Sequence, residues 1–324
     1  MTHKVFVDGQ EGTTGLQINQ YLAARKDVEI LRIDPALRKD AGERARLLNA
    51  ADVAFLCLPD AAAKEAAALV TDPGTCLIDA STAHRVDPGW VFGLPELEQG
   101  RREAIRGAKR ISNPGCHSTA FILLVRPLVD AGLLPADYPL HALSITGYSG
   151  GGKKMIEQYR AGGDPALASP RQYGLTLAHK HLPEMKVYSK LAAAPVFSPI
   201  VGPFYKGLAV SIGLQRRALG KGANLQAVHQ VLAARYEAEH FVEVRGLNDP
   251  AVLQNGGFFD VQACNDTNRA DIFVFGHEEQ VMLTLRLDNL GKGASGAAIQ
   301  SMNLHLGLDE GLGLEGDIVL GEAA

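Results

Sequence analysis

Lys4-Val5-Phe6-Val7-Asp8-Gly9-Gln10-Glu11-Gly12-Thr13-Thr14-Gly15-Leu16 decides the fold. Lys4 to Asp8 reads as a short strand. It runs into three glycines spaced G-x-x-G-x-x-G, and a helical pattern over Thr13 to Arg25 follows, with Leu16, Ile18, Tyr21 and Leu22 on one face. Glycine permits a tight turn and lets backbone N–H groups approach a phosphate, and a helix N-terminus adds partial positive charge. Gly9, Gly12 and Gly15, with Thr13 and Thr14 as helix caps and hydroxyl donors, are therefore candidate cofactor residues.

Working outward, strand and helix keep alternating. Val28 to Ile33 reads as a strand, Arg44 to Ala50 as a helix, Val53 to Leu58 as a strand buried on both faces, Ala61 to Val70 as a helix, and Thr75 to Asp79 as a strand. This alternation predicts a parallel, Rossmann-type α/β sheet with its ligand at the carboxyl ends of the strands. Asp34 lies nineteen positions after Gly15, where an acidic residue takes the ribose hydroxyl of NAD. Arg32, Arg38 and Lys39 flank it, and a 2′-phosphate would want such cations, so these rules leave NAD and NADP open.

After Cys116 the pattern changes. A helix over His117 to Ala131 leads into strands at Ser144 to Tyr148, Ala209 to Leu214, Phe241 to Val244, Phe259 to Cys264, Asp271 to Phe275 and Gln280 to Leu287. A helix spans Leu225 to Tyr236, and another Gly293 to Leu306. This predicts an α+β substrate domain with a mixed or antiparallel sheet. The chain has 324 residues, which fits two domains of about 150 residues. A net charge of −4 without a basic block argues against nucleic acid and anionic membrane as partners. Four dispersed cysteines and no signal-peptide core point to a soluble cytoplasmic protein.

Ser112-Asn113-Pro114-Gly115-Cys116 places a cysteine after a Pro-Gly turn and at a helix start. Helix-end N–H groups stabilise a thiolate, so Cys116 is the candidate nucleophile. Cys57, Cys76 and Cys264 read as core thiols. His179-Lys180-His181-Leu182-Pro183-Glu184 offers an acid/base pair beside a carboxylate. Two residues apart in an extended loop, the histidines would point to opposite sides, so only one would face Cys116. No metal is expected, because the pair lacks helical spacing and a third ligand. Arg85, at the carboxyl edge of the first sheet, suits a leaving phosphate. Ser149, Gly150 and Lys154, in a second glycine-rich cationic loop, are candidates for substrate carboxylate or phosphate.

Together these stretches resemble the N-acetyl-gamma-glutamyl-phosphate reductase family, in its short-type branch. The landmarks are Val7 to Ile18, Leu56 to Asp60, Ile78 to Val86, Ser112 to Cys116, Gly147 to Met155 and Ala178 to Met185. Members more often carry Tyr-Pro where this chain has His117-Ser118, a departure expected to affect the helix start more than the chemistry. The resemblance implies the fold of the aspartate-semialdehyde dehydrogenase superfamily, with NADP(H) as cofactor and a homodimer or homotetramer. It implies a Cys116 thioester, His179 as acid/base with His181 as runner-up, and Glu184 positioning a histidine or contacting substrate. Ser81 joins the cofactor residues, Arg32 or Arg38 meets the 2′-phosphate, and Asn303 bonds the carboxamide. The late helix returns to the dinucleotide domain, giving residues 1–115 with 293–311, and a catalytic domain of 116–292 with 312–324. A sister acyl-phosphate reductase acting on aspartyl phosphate, and a non-enzymatic dinucleotide-binding regulator, are the alternatives.

Overall fold

The computed structural model describes residues 2–10 and 12–314. The chain divides into two compact units, residues up to Gly115 with those from Ala294 onward, and Cys116–Gly293.

The first unit is built on a six-stranded, all-parallel sheet. Its strands are β1 (His3–Asp8), β2 (Val28–Leu31), β3 (Val53–Leu56), β4 (Cys76–Asp79), β5 (Val91–Phe92) and β6 (Arg110–Ser112), in the order β2-β1-β3-β4-β6-β5. Helices α1 (Thr13–Ala23), α2 (Ala41–Ala50), α3 (Asp60–Ala68) and α4 (Arg101–Gly107) connect them, and α9 (Gly296–His305) returns to this unit. Every residue of β3 and β4 is buried, which is why β3 reads as an unbroken apolar run. β1 has β2 on one side and β3 on the other, so the strand order reverses at its end, where the glycine turn sits.

That turn is sterically fixed. Gly9 has φ +89°, and a Cβ on it would lie 2.3 Å from the Cys57 carbonyl oxygen. A Cβ on Gly15 would lie 2.5 Å from the Gly9 oxygen. Gly12 caps α1 without a side-chain bond, so Thr13 and Thr14 occupy the first turn and do not cap it as expected. The face of α1 also differs from expectation. Leu16 is exposed, while Gly15 and Gln17 join Ile18, Tyr21 and Leu22 inside. Close approach of the helix start to the turn takes the place of an apolar contact.

The second unit carries a mixed seven-stranded sheet. Its strands are β7 (His141–Gly147), β8 (Arg171–Gln172), β9 (Val196–Gly202), β10 (Leu208–Gln215), β11 (Val242–Val244), β14 (Ala270–Gly276) and β15 (Gln280–Leu287), ordered β11-β14-β15-β10-β7-β9-β8. A separate hairpin pairs β12 (Leu253–Gln254) with β13 (Phe258–Phe259). The strand expected over Phe259 to Cys264 ends at Phe259, because the Asp260 carboxylate accepts from Gln262 N at 2.8 Å and turns the chain. Helices α5 (Cys116–Asp130), α6 (Gly152–Ala161), α7 (Leu182–Tyr188) and α8 (Leu225–Tyr236) complete the unit. α5 is buried at every residue from His117 to Leu128, and Tyr236 of α8 donates its hydroxyl to Leu123 O at 2.7 Å.

The late segment departs from one expectation. The Leu312 carbonyl accepts from Arg25 and from Asn303, and Leu314 is buried, so residues 312–314 stay with the first unit and do not return to the catalytic one. Residues 315–324 of that expected segment lie outside the described residues.

Gly9→Ala tests the steric reading. Overpacking the Cys57 carbonyl at a left-handed φ should cost about 1–3 kcal/mol in urea unfolding. A loss below about 0.5 kcal/mol, the range of neutral surface substitutions, would contradict it.

Candidate active site

In the second unit Cys116 is the first residue of α5 and is partly exposed. A Cβ on Gly293 would lie 2.7 Å from the Cys116 Cβ and 3.1 Å from the Asp288 carbonyl oxygen, so only glycine fits against the cysteine. His179 and His181 lead into α7, which packs on α5. Their rings are edge-on with centroids 4.8 Å apart. The expected opposite orientation is therefore wrong. His181 has φ −85° and ψ −11°, and its N–H donates to His179 Nδ1 at 3.2 Å, so the segment is a tight turn that brings both rings together. His179 is partly exposed and His181 is buried. Glu184 is buried in the first turn of α7.

The rings gather around a residue assigned only to the helix start. His117 lies 5.7 Å from His179, 5.5 Å from His181 and 5.2 Å from Phe197, centroid to centroid. Its Nδ1 is 2.8 Å from Ser144 Oγ and its Nε2 is 3.1 Å from Tyr173 OH. Burial, then the charges of His179 and Lys180, push its pKa down to about 3, so it is neutral at physiological pH. Burial and then the charge on Cys116 push the Tyr173 phenol up, which keeps its proton on. His117, Tyr173, Ser144 and Phe197 escaped the sequence reading. The unusual pair after the nucleophile was the one available signal.

The second glycine-rich loop is less open than its composition suggests. Ser149 is buried, and its hydroxyl accepts from Asn289 Nδ2 at 2.9 Å. Gly150 and Lys154 are exposed.

In the first unit, the turn after β1 borders a cavity of about 480 Å³. Gly9, Gln10 and Gly12 line one side, and Arg38, Lys39 and Arg44 bring positive charge. Arg44, which sequence reasoning did not single out, pairs with the buried Asp8 carboxylate at 2.8 Å. Arg38 lines the cavity, whereas Arg32 is exposed and does not. Asp34 accepts from Ala36 N at 2.8 Å and is also absent from the lining. A glycine cradle with no room for a Cβ at Gly9 and a cationic rim fits a dinucleotide phosphate.

Three expected contacts take another form. The Asn303 amide is fully buried, accepting from Arg25 and donating to the Glu310 and Leu312 carbonyls, so it is spent inside the unit and does not bond a carboxamide. Ser81 donates its hydroxyl to Asp79 and accepts from Ala83 N, closing the turn after β4. Arg85 is buried and donates to the carbonyls of Asn113 and Ala80, bracing the Pro-Gly turn ahead of Cys116.

Residues 4–108 match the family model for the semialdehyde dehydrogenase NAD-binding domain, and residues 116–289 match that for the semialdehyde dehydrogenase dimerisation domain. The fold is similar to aspartate semialdehyde dehydrogenase II of Vibrio cholerae, with a TM-score of 0.69 and 13% identity, covering 94% of this chain and 98% of that one. Sequence likeness is much higher elsewhere. The chain is 46% identical to N-acetyl-gamma-glutamyl-phosphate reductase 2 of Nostoc sp. over 96% of its length and 99% of the relative's. It is 45% identical to N-acetyl-gamma-glutamyl-phosphate reductase 2 of Pseudomonas putida, over 94% and 97%. The chain belongs to the N-acetyl-gamma-glutamyl-phosphate reductase family.

The four cysteines differ in their surroundings. Burial pushes Cys76 up to about 12, and burial with the Asp271 carboxylate pushes Cys264 up to about 11. Burial, then Asp79 and Asp8, push Cys57 up further. At neutral pH, limiting iodoacetamide should therefore label Cys116 before the others. Peptide mapping that finds another cysteine carboxymethylated first, with activity lost in step, would overturn this.

His117 also makes a pH prediction. Its folded pKa lies below the unfolded value, so between about pH 6.5 and 3 the unfolded chain binds the extra proton and stability is lost as the pH is lowered. Urea unfolding of the wild type should lose roughly 1–3 kcal/mol more than His117→Gln on going from pH 7 to 4.5. Equal losses would show that His117 is not held neutral.

Proposed function

We propose that this chain reduces N-acetyl-L-glutamyl 5-phosphate to N-acetyl-L-glutamate 5-semialdehyde through a thioester on Cys116, with NADPH as reductant. N-acetyl-gamma-glutamyl-phosphate reduction in arginine biosynthesis is the activity of its family. The observation that carries the mechanism is a partly exposed cysteine at the start of a buried helix, in the same unit as a turn that brings two histidines together.

The Cys116 sulfur attacks the acyl carbon, the carbon–oxygen bond to phosphate breaks, and inorganic phosphate leaves with the electron pair. The first N–H groups of α5 stabilise the thiolate before attack. When bound, the cofactor supplies the hydride that takes the acyl group to the aldehyde level. His179 handles protons, because it is the more exposed of the pair. With Nδ1 accepting from His181 N, the proton His179 can give lies on Nε2, for the oxygen that gains charge. His181 and Glu184 are buried beside it at the start of α7. Lys154, exposed on α6, is the cation for the substrate carboxylate or phosphate.

NADP is favoured over NAD by the side chains at the cavity. Arg38 and Lys39 line it, and the Asp34 carboxylate is turned to its own backbone. A structural neighbour from Candida albicans, 14% identical with a TM-score of 0.64, is an aspartate semialdehyde dehydrogenase with NADP. kcat/KM for NADP should exceed that for NAD, and Arg38→Ala should narrow the gap. A tenfold preference for NAD, about 1.4 kcal/mol, would sink the assignment. The match to a dimerisation domain, and an open sheet face carrying Leu143, Val196 and Met282, support a homodimer.

Substrate choice turns on the α-nitrogen. Aspartyl phosphate carries an ammonium there and an N-acetyl substrate a neutral amide. The extra methylene of the longer substrate discriminates by only about 1–3 kcal/mol, whereas a buried ammonium without a partner costs more. N-acetylglutamate semialdehyde, with phosphate and NADP, should be oxidised with a kcat/KM on the order of a hundredfold above that for aspartate semialdehyde. Comparable values would refute the substrate while leaving the cysteine mechanism standing.

A further inference from the structure

We propose that His117 is a positioning residue of the reaction: anchored by Ser144, its imidazole holds the Tyr173 hydroxyl and the His179 ring in place beside Cys116. The proposal rests on the assignment of Cys116 and His179 above. His117 is the second residue of α5, so its backbone is fixed by the same buried helix that fixes the nucleophile. Both ring nitrogens are engaged, one by a hydroxyl on β7 and one by a hydroxyl just after β8. A neutral imidazole has one donor and one acceptor, and a hydroxyl can serve as either. The two bonds are therefore satisfied in either tautomer, and the ring cannot turn without leaving a buried polar group unpaired, which costs about 1–3 kcal/mol.

What the ring touches gives it more than a packing role. It lies against both histidines of the turn and against Phe197, which also faces His179 at 5.0 Å. Tyr173 lies 5.8 Å from His179, centroid to centroid. One side chain thus fixes the phenol and borders the ring that handles protons. It does so without adding charge to the cluster. Ser144 is fully buried, so the anchor belongs to the sheet and does not drift with solvent.

A double-mutant cycle on the full-length enzyme tests this, using His117→Phe, Tyr173→Phe and the pair. The readouts are kcat and KM for N-acetylglutamate semialdehyde oxidation with phosphate and NADP, the iodoacetamide rate at Cys116, and Tm. If His117 acts through Tyr173, each single change should lower kcat by about tenfold, the worth of one positioning hydrogen bond. The double variant should then be no worse than the poorer single one, with KM for NADP unchanged. His117→Gln, which keeps a donor and an acceptor, should recover part of the loss, and His117→Leu replaces His117→Phe in the cycle if the latter does not fold. Multiplying effects, or a His117→Phe enzyme within about twofold of wild type, would overturn the proposal with Cys116 chemistry intact. Activity that survives in Cys116→Ala would instead overturn the nucleophile, and the role of His117 with it.

Discussion

A helix buried over most of its length fixes the position of Cys116, the proposed nucleophile. From His117 to Leu128 every residue of α5 is buried, so the helix can neither slide nor rotate without opening the core of its unit. Cys116 opens that helix, and Gly293 closes on it so tightly that a single added carbon has no room. The sulfur is therefore placed by core packing and not by a mobile loop. Reactive groups held to a fraction of an ångström by rigid elements need this kind of support.

The strand-turn-helix at the start and the Pro-Gly-Cys turn were legible because their signals are local. Gly9 and Gly15 are glycines for reasons confined to a few neighbouring backbone atoms. Alternating strands and helices announced the parallel sheet for the same reason. Failures cluster where a side chain's partner is far away in sequence. Asn303 is consumed by Arg25, 278 residues earlier, and Arg85 by a carbonyl 28 residues later. No spacing rule reports such a partner. The histidine pair was misread differently, because alternation presumes an extended chain and the pair sits in a turn.

The cofactor cavity shows how a spacing rule can locate a residue and still misjudge its use. Asp34 stands where an acidic residue often meets a ribose, yet its carboxylate is closer to its own backbone, at Ala36 N. Asp8, at the end of β1, does line the cavity, but Arg44 neutralises it. With one carboxylate turned away and the other paired, Arg38 and Lys39 set the local field.

Charge also explains why a third histidine can sit in the site at all. Two imidazolium ions about 5 Å apart would repel by roughly 3 kcal/mol at an effective dielectric of about 20. Three rings as close as His117, His179 and His181 cannot all be charged, and the buried His117 is the one that burial holds neutral. A neutral His117 cannot be the counter-ion of a Cys116 thiolate, as an imidazolium would be in a cysteine–histidine ion pair. The N–H groups at the start of α5 are then the support a thiolate at Cys116 would find on its own helix. On the proposed mechanism helix and histidines divide the work: the helix end stabilises the sulfur, and His179 serves oxygen.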